Sequence, residues 1–155
     1  FRVEAYNYML KSKKKYKSNI VTAILFNHDS KFRKKKFLIP RLVKIIKKKE
    51  IKKLRSIYKE NISGDFSHAE DICNGLYKLL LLKSCPDKLI FSSNKRTYMN
   101  KIINHLIKIN KLEIKLNTNN LKNTFTPVGD NKITKKILNW KQKKNIYTAA
   151  RELNK

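Results

Sequence analysis

Glycine and long hydrophobic runs are both scarce in this chain of 155 residues. Its only glycines are Gly64, Gly75 and Gly129, so a G-x-x-G-x-x-G loop cannot be formed. Such a loop lets the backbone approach a dinucleotide pyrophosphate at a helix N-terminus, and a complete unit of that kind is therefore excluded. No apolar run approaches the roughly 20 residues that a membrane span needs, and no secretory signal is visible. Because the first residue is Phe1 rather than Met, we expect the chain to be cut from a longer one.

Cysteine is also scarce, with only Cys73 and Cys85. The two residues have neither C-x-x-C spacing nor a histidine cluster nearby. Metal sites built on cysteine need such spacing, and disulfides are rare in reducing compartments. We therefore predict two unpaired thiols, no zinc site and a cytoplasmic location.

Acidic residues are few, and the charge balance is strongly basic. The formal net charge is +27, from 38 lysines and arginines against 11 aspartates and glutamates. This balance favours a polyanionic partner such as RNA, DNA or an anionic membrane surface. The cations are mostly lysines spread among many isoleucines and asparagines, a composition that A+T-rich coding produces, whereas nucleic-acid sites more often show a localised arginine-rich patch. We interpret the lysine runs 13–15 and 34–36 as solvated, and keep a nucleic-acid partner as an alternative.

The pattern of apolar residues over the first forty positions predicts part of an α/β unit. Helical spacing indicates an amphipathic helix over residues 2–12, followed by a polar turn at 13–18. Residues 20–26 are almost unbroken apolar and β-branched, which predicts a strand buried on both faces of a parallel sheet covered by helices. Ligands of open α/β sheets bind at the carboxyl ends of the strands. We therefore expect a site in the basic loop 27–36.

Helices and strands continue to alternate along the rest of the chain. Ser67 and Glu70 are spaced as a capping box, in which they satisfy two backbone N–H groups at the start of a helix. Proline is tolerated in the first turn, so another helix begins near Pro40. The predicted core of these two helices is Leu42, Val43, Ile45 and Ile46 for the first, and Ile72, Leu76, Leu79 and Leu80 for the second. The later elements are a strand at 89–91, a helix around 98–109, a half-exposed strand at 112–116, a helix capped by Asp130 that holds Ile133, Ile137 and Leu138, and a short helix near 146–153.

Several segments, in order and near the expected spacing, resemble one enzyme family. Residues 24–37 look like the segment I-L-F-N-H-E-S-P-R-R-G-x-x-F, and residues 64–71 are similar to R-D-W-G-H-A-x-D-Y. The other three matches are 86–91 with P-x-D-F-V-I-A-T, 129–133 with G-D-x-x-K-A, and 138–141 with L-G-W-K-P. The chain thus resembles the GDP-mannose 4,6-dehydratase family of extended short-chain dehydrogenases, over essentially its whole length and in the C-terminal half of the family only.

The resemblance implies an α/β fold, namely the C-terminal part of a Rossmann-type doubly wound parallel sheet plus the small substrate-binding domain. Its implied domains are the end of the Rossmann domain at 1–36, a substrate-domain segment at 37–66, the last Rossmann helix and strand at 67–95, and the C-terminal substrate-binding domain at 96–155.

Four site residues follow from the resemblance. It implies that His28 and Arg33 contact NADP, the planar fork of Arg33 being suited to a phosphate. It also implies that Asn27 and Arg41 lie near the GDP-sugar, Arg41 at a position usually held by lysine. We expect structural roles for His68, packed against the sheet, and for Trp140, a packing anchor.

The chain departs from the family pattern at positions that carry charge. Lys31 and Phe32 stand where the family has a proline and an arginine, and Gly64 replaces the arginine of R-D-W. Residues 121–128 replace a segment that contains another arginine. Losing cations that face the nucleotide predicts weakened substrate binding.

The family's catalytic Tyr-x-x-x-Lys pair is absent from the chain, because none of the seven tyrosines is followed four residues later by lysine. We therefore assign no catalytic residue and expect residues 1–155 to be inactive alone. A sheet that lacks most of its strands would leave the edge of strand 20–26 unpaired, so we also expect this segment by itself to be poorly soluble or molten.

The implied reaction of the parent enzyme converts GDP-D-mannose to GDP-4-dehydro-6-deoxy-D-mannose. A hydride leaves C4 for NADP, water is lost across C5–C6, and the hydride returns to C6. A homo-oligomer is expected for the full-length enzyme. The alternatives are a related nucleotide-sugar epimerase or dehydratase, and a basic RNA-binding or ribosome-associated protein that reuses the half-fold.

Overall fold

The computed structural model describes residues 2–117 and 119–155. Helices and strands alternate along this part of the chain. Their order is α1 (Arg2–Tyr16), β1 (Thr22–Leu25), β2 (Asn27–Asp29), α2 (Leu38–Lys47), α3 (Ile51–Glu60), β3 (Ser63–His68), α4 (Ala69–Leu80), β4 (Lys88–Phe91), β5 (Arg96–Tyr98), α5 (Met99–Ile109), α6 (Lys132–Leu138) and α7 (Ile146–Asn154). Within the described ranges, no helix is both long and apolar enough to cross a membrane.

The strands form two small sheets in which parallel pairing dominates. In the first sheet, β1 pairs with β4 in parallel, with Ala23 opposite Leu89. In the second, β3 pairs in parallel with β2 and antiparallel with β5. Parallel neighbours need a crossover connection, and helices α2, α3 and α4 lie in the chain between β1 and β4. The predicted α/β fold class is therefore confirmed.

Two hydrophobic clusters hold the elements together. The larger cluster joins α2, α3, α5 and α7 through residues such as Leu42, Leu54, Ile103 and Ala149. The smaller cluster packs α4 and β4 around Trp140, whose ring meets Phe91 edge-on at 5.4 Å between centroids. A fully buried aliphatic or aromatic side chain contributes about 1.5–3 kcal/mol. The packing role predicted for Trp140 is thus confirmed.

The predicted core of α2 is also confirmed, whereas β1 differs from its prediction. Leu42, Val43, Ile45 and Ile46 are all buried. The strand spans Thr22–Leu25 rather than 20–26, and Ile24 and Leu25 are 37% and 42% exposed. Within the described residues β1 has only one hydrogen-bonded neighbour, β4. Its other edge and part of its surface are consequently open, so the apolar pattern overstated its burial.

Local side-chain chemistry corrects two predicted helix starts. In α4 the N-cap is His68, whose Nδ1 accepts from the Glu70 N–H, instead of Ser67. In α6 the N-cap is Asn131 rather than Asp130, although Asp130 Oδ1 accepts from the Lys132 N–H. Three predicted core residues of these helices, Leu80, Ile133 and Ile137, are exposed because they lie on the faces turned away from the core.

Three further segments differ from the sequence prediction. Residues 112–116 keep the predicted alternation of burial but form no strand, because they pack one side against the larger cluster without a strand partner. Helix α1 continues to Tyr16 and has no buried residue; it is held partly by Lys13, which pairs with Asp87 at 3.0 Å. The start of the predicted loop 27–36 is strand β2.

Sequence reasoning missed the elements α3, β3 and β5. Helix α3 had a readable signal, because its buried residues Leu54 and Tyr58 are four apart.

Candidate functional site

The carboxyl end of β1 leads directly into β2, which carries two of the predicted site residues. Asn27 Nδ2 donates to the Asp65 carbonyl of β3 at 3.3 Å. His28 is half-buried, and its Nδ1 lies 2.8 Å from the Phe26 carbonyl, which accepts the ring proton. In the neutral ring that bond places the proton on Nδ1 and leaves Nε2 as an acceptor. Asn27 therefore fixes the position of β2, and His28 presents one ring nitrogen for a ligand.

Arg33 folds back onto the end of β2 through a tight turn. The turn closes with a hydrogen bond from the Arg33 N–H to the Ser30 carbonyl, at 3.0 Å. The guanidinium Nε lies 3.4 Å from Asp29 Oδ1, and its carbon lies 3.6 Å from the centre of the Phe37 ring. Burial raises the pKa of the Asp29 carboxyl, while the charges of Arg33 and His28 act to lower it. Arg33 is therefore held at a fixed place beside His28.

Arg41 is the fourth predicted site residue, and it lies exposed on α2. Among the described residues no side-chain partner engages its guanidinium, which is free to meet a ligand. The structure thus gathers Asn27, His28 and Arg33 around β2 and its turn, and leaves Arg41 on the following helix.

Arg33 also stands at the rim of a concave surface that we call the basic groove. Six cations line it: Lys31, Arg33, Lys35, Lys44, Lys47 and Lys48. The groove has a volume of about 490 Å³. It joins the loop after β2 to one side of α2, so part of the loop in which a site was expected lines a concave surface.

Gly64 stands at the position where the family pattern has an arginine. A Cβ built there would lie 1.9 Å from Thr126 Oγ1, so the segment around Thr126 occupies the space of a side chain. Next to it, Arg96 Nη1 donates to Ser63 Oγ and to the Thr126 carbonyl, both at 3.1 Å. Its guanidinium also lies 5.4 Å from the Phe125 ring. Sequence reasoning did not single out Arg96 as a candidate site residue, although it is one of only six arginines in the chain.

A buried carboxylate, Asp65, joins the segments around this site. Its oxygens accept from the backbone N–H groups of Ser93 at 2.6 Å, Asn94 at 3.1 Å and Gly129 at 3.3 Å. Asp65 is fully buried. It therefore connects β3 to the loop after β4 and to the turn before α6.

His68 has the structural role that was predicted for it. The residue is buried, and its Nδ1 accepts a backbone N–H, so the ring proton resides on Nε2 and is donated to Glu152 at 3.1 Å. Lys144 lies 2.5 Å from Glu70 and 3.6 Å from Glu152. The hydrogen bond with Lys144 lowers the pKa of Glu70, and the same bond raises the pKa of Lys144. This network ties α7 to the start of α4.

Comparison with known proteins gives one family match over nearly the whole chain. Residues 2–153 match the model of the family described as GDP-mannose 4,6 dehydratase. No curated protein sequence matches the chain.

Three solved structures with a similar fold are about twice as long as this chain. RMD from Pseudomonas aeruginosa, complexed with NADPH, has a TM-score of 0.71 and 17% identity, covering 98% of this chain and 52% of that one. UDP-glucuronic acid 4-epimerase from Bacillus cereus, with UDP-glucuronic acid and NAD, has a TM-score of 0.72 and 14% identity, covering 94% and 47%. dTDP-glucose 4,6-dehydratase from Bacillus anthracis, with NAD, has a TM-score of 0.72 and 13% identity, covering 95% and 47%. This chain therefore spans about half the length of the structures it resembles.

Proposed function

Because this chain belongs to the GDP-mannose 4,6 dehydratase family, we propose that it is part of an enzyme that converts GDP-D-mannose to GDP-4-dehydro-6-deoxy-D-mannose. The observation that carries the proposal is the junction of β1 and β2. It presents Asn27, His28 and Arg33 together at the carboxyl end of a strand in a parallel sheet, which is where ligands of α/β sheets bind.

The proposed cofactor is NADP, which when bound supplies the acceptor and donor of the hydride. In this role Arg33 holds a phosphate, because its guanidinium is oriented by Asp29 and Phe37 and only one edge is engaged by the carboxylate. In its neutral form His28 offers its Nε2 as an acceptor for a hydroxyl. The structural relative from Pseudomonas aeruginosa holds NADPH, whereas the two others hold NAD.

The proposed contribution of this chain to substrate binding is one wall of the site for the sugar nucleotide. Arg41, exposed and without a partner among the described residues, is suited to a phosphate of GDP. Asn27 lies at the start of β2, where its amide can also meet the sugar. The acid–base tyrosine, its lysine and the glycine-rich loop are absent from these residues. The proposal therefore requires another part of the protein to supply them.

A related nucleotide-sugar epimerase or dehydratase is the second candidate. It is favoured by Gly64, since no side chain fits at that position while Thr126 stands against it. A different set of phosphate contacts would suit a different nucleotide sugar.

The test measures NADP affinity and product formation with protein that contains residues 1–155 and the rest of the enzyme. Arg33→Ala removes a charged hydrogen-bond donor, worth about 1.5–3 kcal/mol, so NADP affinity falls by roughly ten- to a hundredfold. Arg55→Ala, an exposed arginine on α3, is the matched control and leaves the affinity unchanged. Mass spectrometry then follows the loss of water from GDP-mannose. If the enzyme converts a UDP- or dTDP-sugar but not GDP-mannose, this proposal is wrong and the second candidate is supported.

A further inference from the structure

The strongest local charge in the molecule lies in one continuous stretch. Residues 31–49 contain ten lysines and arginines and no acidic residue. The fold brings the loop after β2 against one side of α2, so that six of these cations line the basic groove. The charge is therefore concentrated on one surface in addition to being spread along the chain.

Within the described residues, acidic groups compensate little of this charge. Arg33 pairs with Asp29. Glu152 also lines the groove, but its carboxylate is engaged by His68 and Lys144. None of the five lysines of the groove forms an ion pair within the described residues, although Glu50, just after the stretch, is near enough to Lys44 and Lys48 for their charges to help lower its pKa. Like charges this close repel one another inside a Debye length of about 8–10 Å, and a polyanion would relieve that repulsion.

An exposed aromatic ring interrupts the basic stretch. Phe32 is 83% exposed, and the Lys31 ammonium lies 5.0 Å from its ring. Exposing a phenylalanine in water is unfavourable, and the core does not require this ring. Cations that follow a phosphate backbone, together with an aromatic ring on which a base can stack, are the features of single-strand binding.

We propose that the basic groove and Phe32 bind single-stranded nucleic acid. The surface is longer than a mononucleotide needs, because the exposed lysines Lys34, Lys36 and Lys49 extend the charge beyond the groove. The backbone phosphates lie along the lysines of α2 and the loop, and one base stacks on Phe32. This binding goes beyond the proposed enzymatic function and does not depend on it, since Lys44, Lys47 and Lys48 have no part in the proposed cofactor or substrate contacts.

The test measures fluorescence anisotropy of a labelled single-stranded RNA of about 15 nucleotides, close to the upper site size of one binding fold. Purified protein that contains all of residues 1–155 is titrated at several salt concentrations. The triple variant Lys44→Gln, Lys47→Gln, Lys48→Gln should weaken binding at least tenfold. It should also reduce the slope of log K against log salt by about 2, since each phosphate contact with a single strand contributes about 0.7.

The matched control removes the same number of charges elsewhere. Lys132→Gln, Lys135→Gln, Lys136→Gln changes three exposed lysines on α6, and the affinity should change less than twofold. Equal weakening by both triple variants would mean diffuse attraction by net charge, and the proposal would then be wrong.

Stacking is tested separately, with variants that keep every charge. Phe32→Ala should weaken RNA binding roughly tenfold, because stacking of one base is worth about 1–3 kcal/mol. Phe125→Ala, also an exposed ring next to an arginine, should leave it unchanged. One competition result overturns the proposal: equal displacement of the RNA by poly-glutamate indicates an acidic protein partner.

Discussion

Single buried polar groups connect distant segments of this chain. Asp65 bridges three backbone N–H groups from two loops, and Asp71 likewise accepts from the N–H groups of Lys143 and Lys144. Both carboxylates are buried. A buried donor that loses its acceptor costs the full desolvation of that donor. These two side chains therefore determine where the loops around the site lie.

Replacing Asp65 by alanine should strongly destabilise the fold. Three N–H groups would lose their acceptor at once, and we expect the free energy of unfolding to fall by about 3 kcal/mol or more. Urea denaturation followed by circular dichroism measures the change. Asp130→Ala is the control, since this exposed carboxylate accepts one N–H, and should cost less than about 1 kcal/mol. Similar losses for both variants would contradict the bridging role of Asp65.

His105 should make the stability depend on pH. Its pKa is lowered by burial and by the charges of Arg151 and Lys108, and its ring packs edge-on against Tyr147 at 5.2 Å. Because the pKa of His105 is lower in the folded chain than in the unfolded chain, the unfolded chain binds more protons than the folded chain as the pH falls. The contribution of His105 to the stability is therefore fully present above the pKa of about 6.5 that histidine has in the unfolded chain. It is lost as the pH falls through the folded pKa.

Thermal melts between neutral and mildly acidic pH check this dependence. His105→Gln cannot titrate, so as the pH is lowered the parent chain should lose stability that the variant keeps, and the melting temperature of the variant should rise relative to that of the parent. A constant difference at every pH would rule out titration of His105 as the cause.

At the scale of elements, α4 depends on a glycine for its packing. Gly75 is in the helix interior, where alanine is normally favoured by about 1 kcal/mol. Here a Cβ would lie 2.5 Å from Phe91 Cε1 and 3.1 Å from Trp140 Nε1. Trp140 is fixed by its hydrogen bond to the Asp71 carbonyl, at 2.8 Å. Close contact between α4 and β4 therefore requires the absence of a side chain.

Gly75→Ala should destabilise the protein in spite of its better helix propensity. Overpacking against two rings costs typically about 1–3 kcal/mol, which exceeds the gain in propensity. Asn74→Ala, at the neighbouring exposed position of the same helix, should instead be neutral or slightly stabilising. Chemical denaturation of both variants gives the comparison, and stabilisation by Gly75→Ala would show that the rings have room to move.

At the scale of the whole molecule, the free edge of β1 is a weak point. The strand pairs only with β4 in the described part of the chain, and an apolar surface formed by Ile24, Leu25 and Val3 lies open beside it. Unpaired strand edges with apolar side chains promote association between chains. Residues 1–155 by themselves should therefore associate as their concentration rises.

A charge on this edge should reduce that association. Ile24→Lys places an ammonium group next to the open strand, which is a known way of protecting edges. Light scattering over a concentration series should show less association than in the parent chain. Ile133→Lys, at a 68% exposed position on α6, adds the same charge without touching β1 and should have no such effect. Equal association of the two variants would mean that net charge alone determines how strongly the chains associate.

The sequence alone determined the α/β class, the buried stripe of α2 and the strand predicted at 89–91, because apolar periodicity reports local structure directly. Segments that resembled a known family added four site residues, whose roles stay predictions. The turn that holds Arg33 and the N-cap formed by His68 were not predicted, because they rest on local polar contacts, Arg33 with Asp29 and the Glu70 N–H with His68, which apolar periodicity does not report.

Tertiary structure decided which segments that are distant in the sequence come into contact. The pairing of Asp65 with the turn before α6 joins residues 64 positions apart in the chain, and the closeness of Thr126 to Gly64 follows from the same fold. The ten cations of residues 31–49 are already close in the sequence, and folding places six of them around one groove. Periodicity reports which face of an element is apolar, whereas contacts between elements depend on the geometry of the whole chain, and this is why only the structure could give them.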